Sequence, residues 1–249
     1  MAHRSTAIAI LAFTGTVFAQ TGPTHVFCSN GMRAVIEELR PQCERTVGHA
    51  MEFKFGSTTD LVNKINSGAP FDLAILTTDA IDRLGQSGKV AILTRADIAR
   101  CGVGVGIRAG SAKPDIRTPE AMKAALLKAK AVTYAEDGAS RTFVENMEQT
   151  FGIADQMKAK TVLTHGSGAA NQQVLAGKAD MVLTLGSEIL PVPGMQLIGP
   201  LPSSVQGYVN FAAAASAQTE KAAAAKAIIE FLKSSAAAPV YKAKGMEAR

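Results

Sequence analysis

The sequence predicts an α/β chain folded into two lobes, each a mostly parallel sheet flanked by helices. Three observations lead there. Strand-like segments alternate with helix-like ones along the chain, the pattern of parallel strands joined by helical crossovers. A Gly-rich run interleaved with Val and Ile at 100–110, and a Pro/Gly-rich return at 191–204, divide that alternation into two sets. Small polar turns follow several strands and so project beyond their carboxyl ends, where ligands gather in open α/β sheets.

Taken in order, the chain opens on a leader. Met1, His3 and Arg4 precede an apolar run at 7–18, and Val17-Phe18-Ala19 ends in the small residue of an export cleavage site. The run is too short to span a bilayer, so residues 1–19 are expected to be a signal peptide removed near Ala19. No Cys follows to carry a lipid, and no later stretch is apolar for long enough to insert in a membrane. Of 249 residues, about 230 remain, enough for two lobes of roughly 100 each.

Removing the leader's one arginine leaves 25 basic and 21 acidic side chains, a formal charge of +4 spread along the chain. With no Trp and 3 Tyr, there is no basic face with stacking aromatics, so nucleic acid is not an expected partner. Cys28, Cys43 and Cys101, and His3, His25, His49 and His165, fall at no metal-ligand or disulfide spacing. At most one cysteine pair could bridge, and neither a metal nor a cofactor is expected. The GVGVG run opens no helix and is followed by no suitably spaced acid, which argues against a dinucleotide loop.

Strand signals sit at 25–28, 50–55, 73–76, 103–108, 131–134, 161–164, 181–185, 196–199 and 208–214. Helix signals lie at 32–46, 59–67, 80–87, 119–129, 140–151, 170–176 and 220–234, the last carrying the apolar stripe Ile228, Ile229, Phe231 and Leu232. The chain would leave the first lobe near Cys101 and return near Tyr208. That gives a discontinuous lobe one, 24–100 plus 206–249, and a lobe two at 103–200.

The organising stretch is HVFCSNGMRA at 25–34: extended residues, a small polar turn, then an amphipathic helix through Met32, Val35, Ile36 and Leu39. Ser and Asn cap many helices that bind nothing. Here the grammar repeats at 53–61, 132–144 and 162–174. Each turn aims backbone N–H groups, a hydroxyl and a positive helix end at one spot, which suits a small anion. The candidate ligand residues are Ser29, Asn30, Gly31, Ser57, Thr58 and Thr77 from lobe one. Gly138, Ala139, Ser140, Arg141, Ser167 and Gly168 would face them from lobe two.

The order SNGM, then FGSTTDLVNKINSGAPFDLAIL, the Gly-rich crossover, AAAAKAIIEFLKS and the ending VYKAKGMEAR resembles the bacterial periplasmic solute-binding proteins of the molybdate-binding type, from His25 to Met246. Its most specific part is Gly56, Ser57, Ile65, Gly68, Ala69, Pro70 and Asp72. The resemblance implies a monomeric two-lobed clamshell that closes on a small anion and delivers it to an ABC permease, with lobe-one hydroxyls on Ser29 and Ser57. Two departures are visible: Cys28 precedes the first Ser, and MVLTLGSE at 181–188 has no Tyr. Arg141 points to a carboxylate, because a guanidinium pairs with one through two parallel hydrogen bonds. The chain is also similar to the periplasmic aconitate isomerases, enzymes on this same fold. That likeness implies a tricarboxylate held by helix N-termini and Arg141, with Glu136, Asp137, His165, Glu188 or Cys28 moving the proton.

Overall fold

The computed structural model describes residues 22–249, so the expected leader lies outside the described residues. Strand β1 (Thr24–Ser29) runs parallel to β2 (Met51–Gly56) on one side and β3 (Leu73–Thr77) on the other. Helix α1 (Arg33–Val47) joins the first two strands and buries Val35, Ile36, Leu39 and Cys43. It runs through Pro41, whose missing N–H falls on the exposed side, where water can take the freed carbonyl. Helices α2 (Thr58–Asn66) and α3 (Thr78–Gln86) start directly after β2 and β3.

Strand β4 (Ala96–Arg108) is 13 residues long and pairs with one strand along its first part and another along its second. Helix α4 (Pro119–Lys128) leads into β5 (Val132–Ala135), followed by α5 (Arg141–Thr150), α6 (Ala154–Lys158) and β6 (Thr161–Thr164). Next come α7 (Ser167–Leu175), β7 (Met181–Leu185), α8 (Gly186–Ile189) and β8 (Met195–Pro200). The chain closes with β9 (Tyr208–Ala215), α9 (Ala222–Lys233), α10 (Ala238–Ala243) and β10 (Met246–Ala248). Strands β6, β5 and β7 form a second parallel trio. The strand order is β2-β1-β3-β9-β4-β7-β5-β6, with β8 and β10 also on β4. The fold is thus α/β with a mixed sheet: parallel in each outer trio, antiparallel around β4 and β9.

Residues Ala96 to Gly102 of β4 pair with β9, and Val103 to Gly106 with β7. The return segment runs beside it, for Leu201 donates its N–H to Val103 O at 3.2 Å and Val103 donates to Gly207 O at 3.0 Å. The glycines expected to mark this crossing have a packing reason. A Cβ on Gly104 would lie 2.8 Å from Leu197 Cδ1, and one on Gly106 would lie 2.8 Å from Val182 Cγ1. At the opposite end of the first trio, Asp72 Oδ2 accepts the His25 N–H at 2.8 Å and Oδ1 accepts the Thr219 hydroxyl at 2.6 Å. Burial alone would raise its pKa, but these bonds and the Lys221 charge hold it below the usual range. The last residue of the Gly-Ala-Pro-x-Asp motif is therefore a staple between strand starts. All three cysteines are free and buried.

Helix α5 buries one acid at an unexpected cost. Glu148 is 4% exposed, its Oε1 has no hydrogen-bond partner, and burial followed by repulsion from Glu145 pushes its pKa up to about 7. The folded state thus binds this proton more tightly than the unfolded state, so stability falls as pH rises from about 4.5 to about 7 and levels off above. Glu148→Gln is expected to gain on the order of 2–3 kcal/mol over the native chain at pH 8, with the gain vanishing near pH 4. Urea unfolding at the two pH values measures it; an equal effect at both would mean the carboxyl is not titrating in the fold.

Candidate functional site

The amino ends of α2 and α3 and the loop after β5 face one cavity of about 760 Å³. Thr58, Thr59, Thr77 and Thr78 line it from the first trio's side, and Asp137, Gly138, Ala139 and Phe143 from the other. Its floor is the paired stretch of β4 and β9, through Asp97, Ala99 and the run from Tyr208 to Phe211, and Arg83, Arg95 and Arg249 complete the wall. The site follows from the topology: parallel strands end on this side, and α2 and α3 start at its rim.

Helix α3 turns an uncapped amino end toward the cavity. Its N-cap, Thr77, makes no side-chain cap bond, and Thr78 Oγ1 is enclosed without a hydrogen-bond partner. Unbonded first-turn N–H groups and the positive helix end favour negative charge here. Helix α2 differs, because Ser57 Oγ accepts the Asp60 N–H at 3.1 Å and so serves as an ordinary cap. Thr58 Oγ1 reaches Ser29 Oγ at 3.4 Å.

The expected ligand residues are dispersed. Thr58, Thr77, Gly138 and Ala139 line the cavity; Ser29, Asn30, Gly31, Ser57, Ser140, Arg141, Ser167 and Gly168 are not among its lining. Gly31 is packed beneath Phe211 and Leu185, where a Cβ would lie 2.6 Å from Phe211 Cζ. Its carbonyl accepts the Ser187 hydroxyl at 2.8 Å. Arg141 is held by its own helix and the loop before it: Nε donates to Glu145 at 2.7 Å and a terminal nitrogen donates to Glu136 O at 3.0 Å. The Glu145 hydrogen bond raises its pKa further, so the charge is fixed but engaged. Ser167 donates to Glu188 at 2.9 Å.

The proton-transfer candidates separate in the same way. The Glu188 carboxyl takes hydrogen bonds from Thr184 and Ser167, yet enclosure still raises its pKa. The Cys28 thiol is fully buried, and burial pushes its pKa far up. Asp137 alone of the five lies on the cavity wall, with exposed His165 beside it at 3.5 Å. Glu136 offers only its backbone carbonyl to Arg141.

Residues not singled out from the sequence are Thr59, Thr78, Asp79, Arg83, Arg95, Phe143, Asn210 and Arg249. A signal for two of them was present: Thr77-Thr78-Asp79 repeats Thr58-Thr59-Asp60 at the next strand end. Arg95 is shared by Asp82 at 3.0 Å and Asp97 at 2.9 Å, with Asp97 the stronger influence on its raised pKa.

The α/β fold thus places a cavity beyond the carboxyl ends of its strands. Residues 24–247 match the family described as bacterial extracellular solute-binding protein, and the chain belongs to that family. Aconitate isomerase of a Pseudomonas species is 28% identical over 247 residues, covering 96% of this chain and 93% of that one. The periplasmic molybdate-binding protein of Azotobacter vinelandii superposes with a TM-score of 0.77 at 19% identity, covering 90% of this chain and 98% of that one. PEB3 bound to L-phospholactate, a protein also solved from Campylobacter jejuni, gives 0.66 at 15% identity over 91% and 100%. At such identities the structures speak for the fold alone. Among the described residues no helix is long and apolar enough to cross a membrane.

Because the Thr78 hydroxyl has no partner to lose, Thr78→Val is expected to leave the unliganded chain as stable as before, or up to about 1 kcal/mol more stable. Thermal unfolding checks this. A loss above about 1 kcal/mol would mean that the hydroxyl is bonded within the fold.

Proposed function

We propose that this chain is an exported, periplasmic solute-binding protein that holds a small polycarboxylate between two lobes, 24–100 with 206–249 and 103–200. As a monomer it would deliver that ligand to an ABC permease. The observation that carries this reading is the cavity: an uncapped helix end, an unpartnered Thr78 hydroxyl and the arginines Arg83 and Arg249 on one wall. Its volume of about 760 Å³ suits a small organic ligand, for which pockets run from about 300 to 1,000 Å³. Guanidinium groups pair with carboxylates in parallel hydrogen bonds, whereas a tetrahedral oxyanion can be held by neutral donors alone.

The full-length likeness to aconitate isomerase favours a second reading, catalysis in the same cavity. The reaction would take a proton from a carbon beside one carboxyl group and return one two carbons away. Asp137 is the candidate best placed for it.

One set of measurements tests both. The chain lacking residues 1–19 is titrated by calorimetry with cis-aconitate, citrate and molybdate, and trans-aconitate is followed by NMR during incubation with the cis isomer. Binding of the carboxylates without turnover is expected, with Thr78→Val weakening it about tenfold, the loss of one charge-assisted hydrogen bond. Turnover moves the assignment to the isomerase, and tight binding of molybdate alone overturns the polycarboxylate.

A further inference from the structure

At Asp137, which lines the cavity, three side chains from distant parts of the sequence converge. His165 Nε2 lies 3.4 Å from Asp60 Oδ2, and its Nδ1 lies 3.5 Å from Asp137 Oδ2. One donor atom from each residue can be chosen so that all lie within 4.8 Å of one another. One carboxylate is held by backbone and another residue is fixed by its helix start. Asp137 Oδ1 accepts the Gly166 N–H at 2.7 Å, and Asp60 sits in the first turn of α2 with its own N–H on Ser57 Oγ. The Asp137 side chain is 11% exposed, and its Oδ2 is screened from solvent yet accepts no hydrogen bond. A carboxylate oxygen enclosed without a donor is unfavourable unless a cation satisfies it.

We propose that Asp60, Asp137 and His165 form a binding site for one divalent transition-metal ion of the zinc type. The donor set is the reason. Two carboxylates neutralise the ion's charge, and one imidazole with two carboxylate oxygens suits a borderline cation better than magnesium or calcium, which prefer oxygen alone. Bonds of about 2.0–2.2 Å set tetrahedral ligands roughly 3.3–3.6 Å apart, so the three donor atoms, one per residue and within 4.8 Å of one another, need to draw together around the ion. His165 is 67% exposed, so its ring can pivot to offer one nitrogen. The Gly166 N–H on Asp137 Oδ1 is the outer contact that aims Oδ2. Three protein ligands leave a fourth position for water or for a carboxylate in the adjoining cavity.

The ion would also couple the halves of the molecule. Asp60 is carried by α2 beside the first strand trio, whereas Asp137 and His165 follow β5 and β6 of the second. An ion bound by all three favours the arrangement in which the halves meet, and this consequence alone rests on the two-lobe reading above.

The test uses the tag-free, metal-stripped chain from residue 20 onward and zinc alone, with no organic ligand, so its outcome is independent of what the cavity holds. Calorimetry is expected to give one zinc per chain. Asp60→Asn, Asp137→Asn and His165→Ala should each weaken binding at least tenfold, with far-UV dichroism and the zinc-free unfolding midpoint confirming that each variant is folded. His165 and Asp60 are exposed enough that their variants keep the fold even if Asp137→Asn does not. No binding by the native chain at about 1 mM zinc, or undiminished binding by His165→Ala and Asp60→Asn, overturns the site.

Discussion

Everything in this molecule hangs on one strand having neighbours from both halves. Over its 13 residues β4 pairs first with β9 and β10, then with β7 and β8. A strand that changes partners midway must be approached closely from several directions, and the glycines at 104 and 106 leave room for Leu197, Val182 and Ile189. The alternating Val103, Val105 and Ile107 stay 0–2% exposed. Glycine weakens a strand when nothing fills the space it leaves; here neighbouring side chains fill it. The return segment bonds to Val103 on both its N–H and its carbonyl, so two chain segments run side by side at the point where β4 changes partners.

Much of this order could be read from the sequence, for physical reasons that also explain the omissions. The trios were legible because a buried parallel strand is a short apolar run, and runs such as Leu73 to Leu76 leave no other reading. The first half of β4 was not. Asp97 and Arg100 interrupt its apolar pattern, since one face of that stretch borders the cavity and the other carries a salt bridge to Glu247. Short α10 and β10 were missed because their stability comes from docking on β4 and α1 rather than from any periodicity of their own. Arg141 drew attention by its charge, yet Glu145 four residues on was visible too, and side chains at that spacing are neighbours on a helix surface, where opposite charges pair.

Charge alone proves a poor guide to this cavity. Arg95 is taken by two aspartates and Arg141 by its own helix, so two of the most evident cations are committed within the fold. What remains beside Arg83 and Arg249 is directional rather than ionic: the uncapped end of α3, the Thr78 hydroxyl and the twin Thr-Thr-Asp turns. Such donors carry no desolvated charge of their own, and being fixed by strand and helix they lose little entropy on meeting a ligand. The same logic makes the screened oxygen of Asp137 conspicuous: the cavity's other carboxylates include Asp97, which is paired with Arg95, whereas this oxygen accepts no hydrogen bond.

The stretch that organises the sequence turns out to organise the joint more than the cavity wall. Ser29 is 5% exposed and meets the cavity only through Thr58, and Gly31 is wedged under Phe211 of β9 and Leu185 of β7. The Ser187 hydroxyl bonds the Gly31 carbonyl from the far half, and both residues are buried. A strand, a tight turn and a helix start therefore serve two purposes at successive strand ends. After β1 the turn is tight and apolar-walled, so it is anchored against β9, β7 and the start of α8. After β2 and β3 the same local geometry, built with threonines instead of Asn-Gly, stands open to the cavity. Local sequence sets the turn; whether it becomes a joint or a binding edge depends on what the strand order brings over it, and that is β7 and β9 in one case and solvent-filled space in the other.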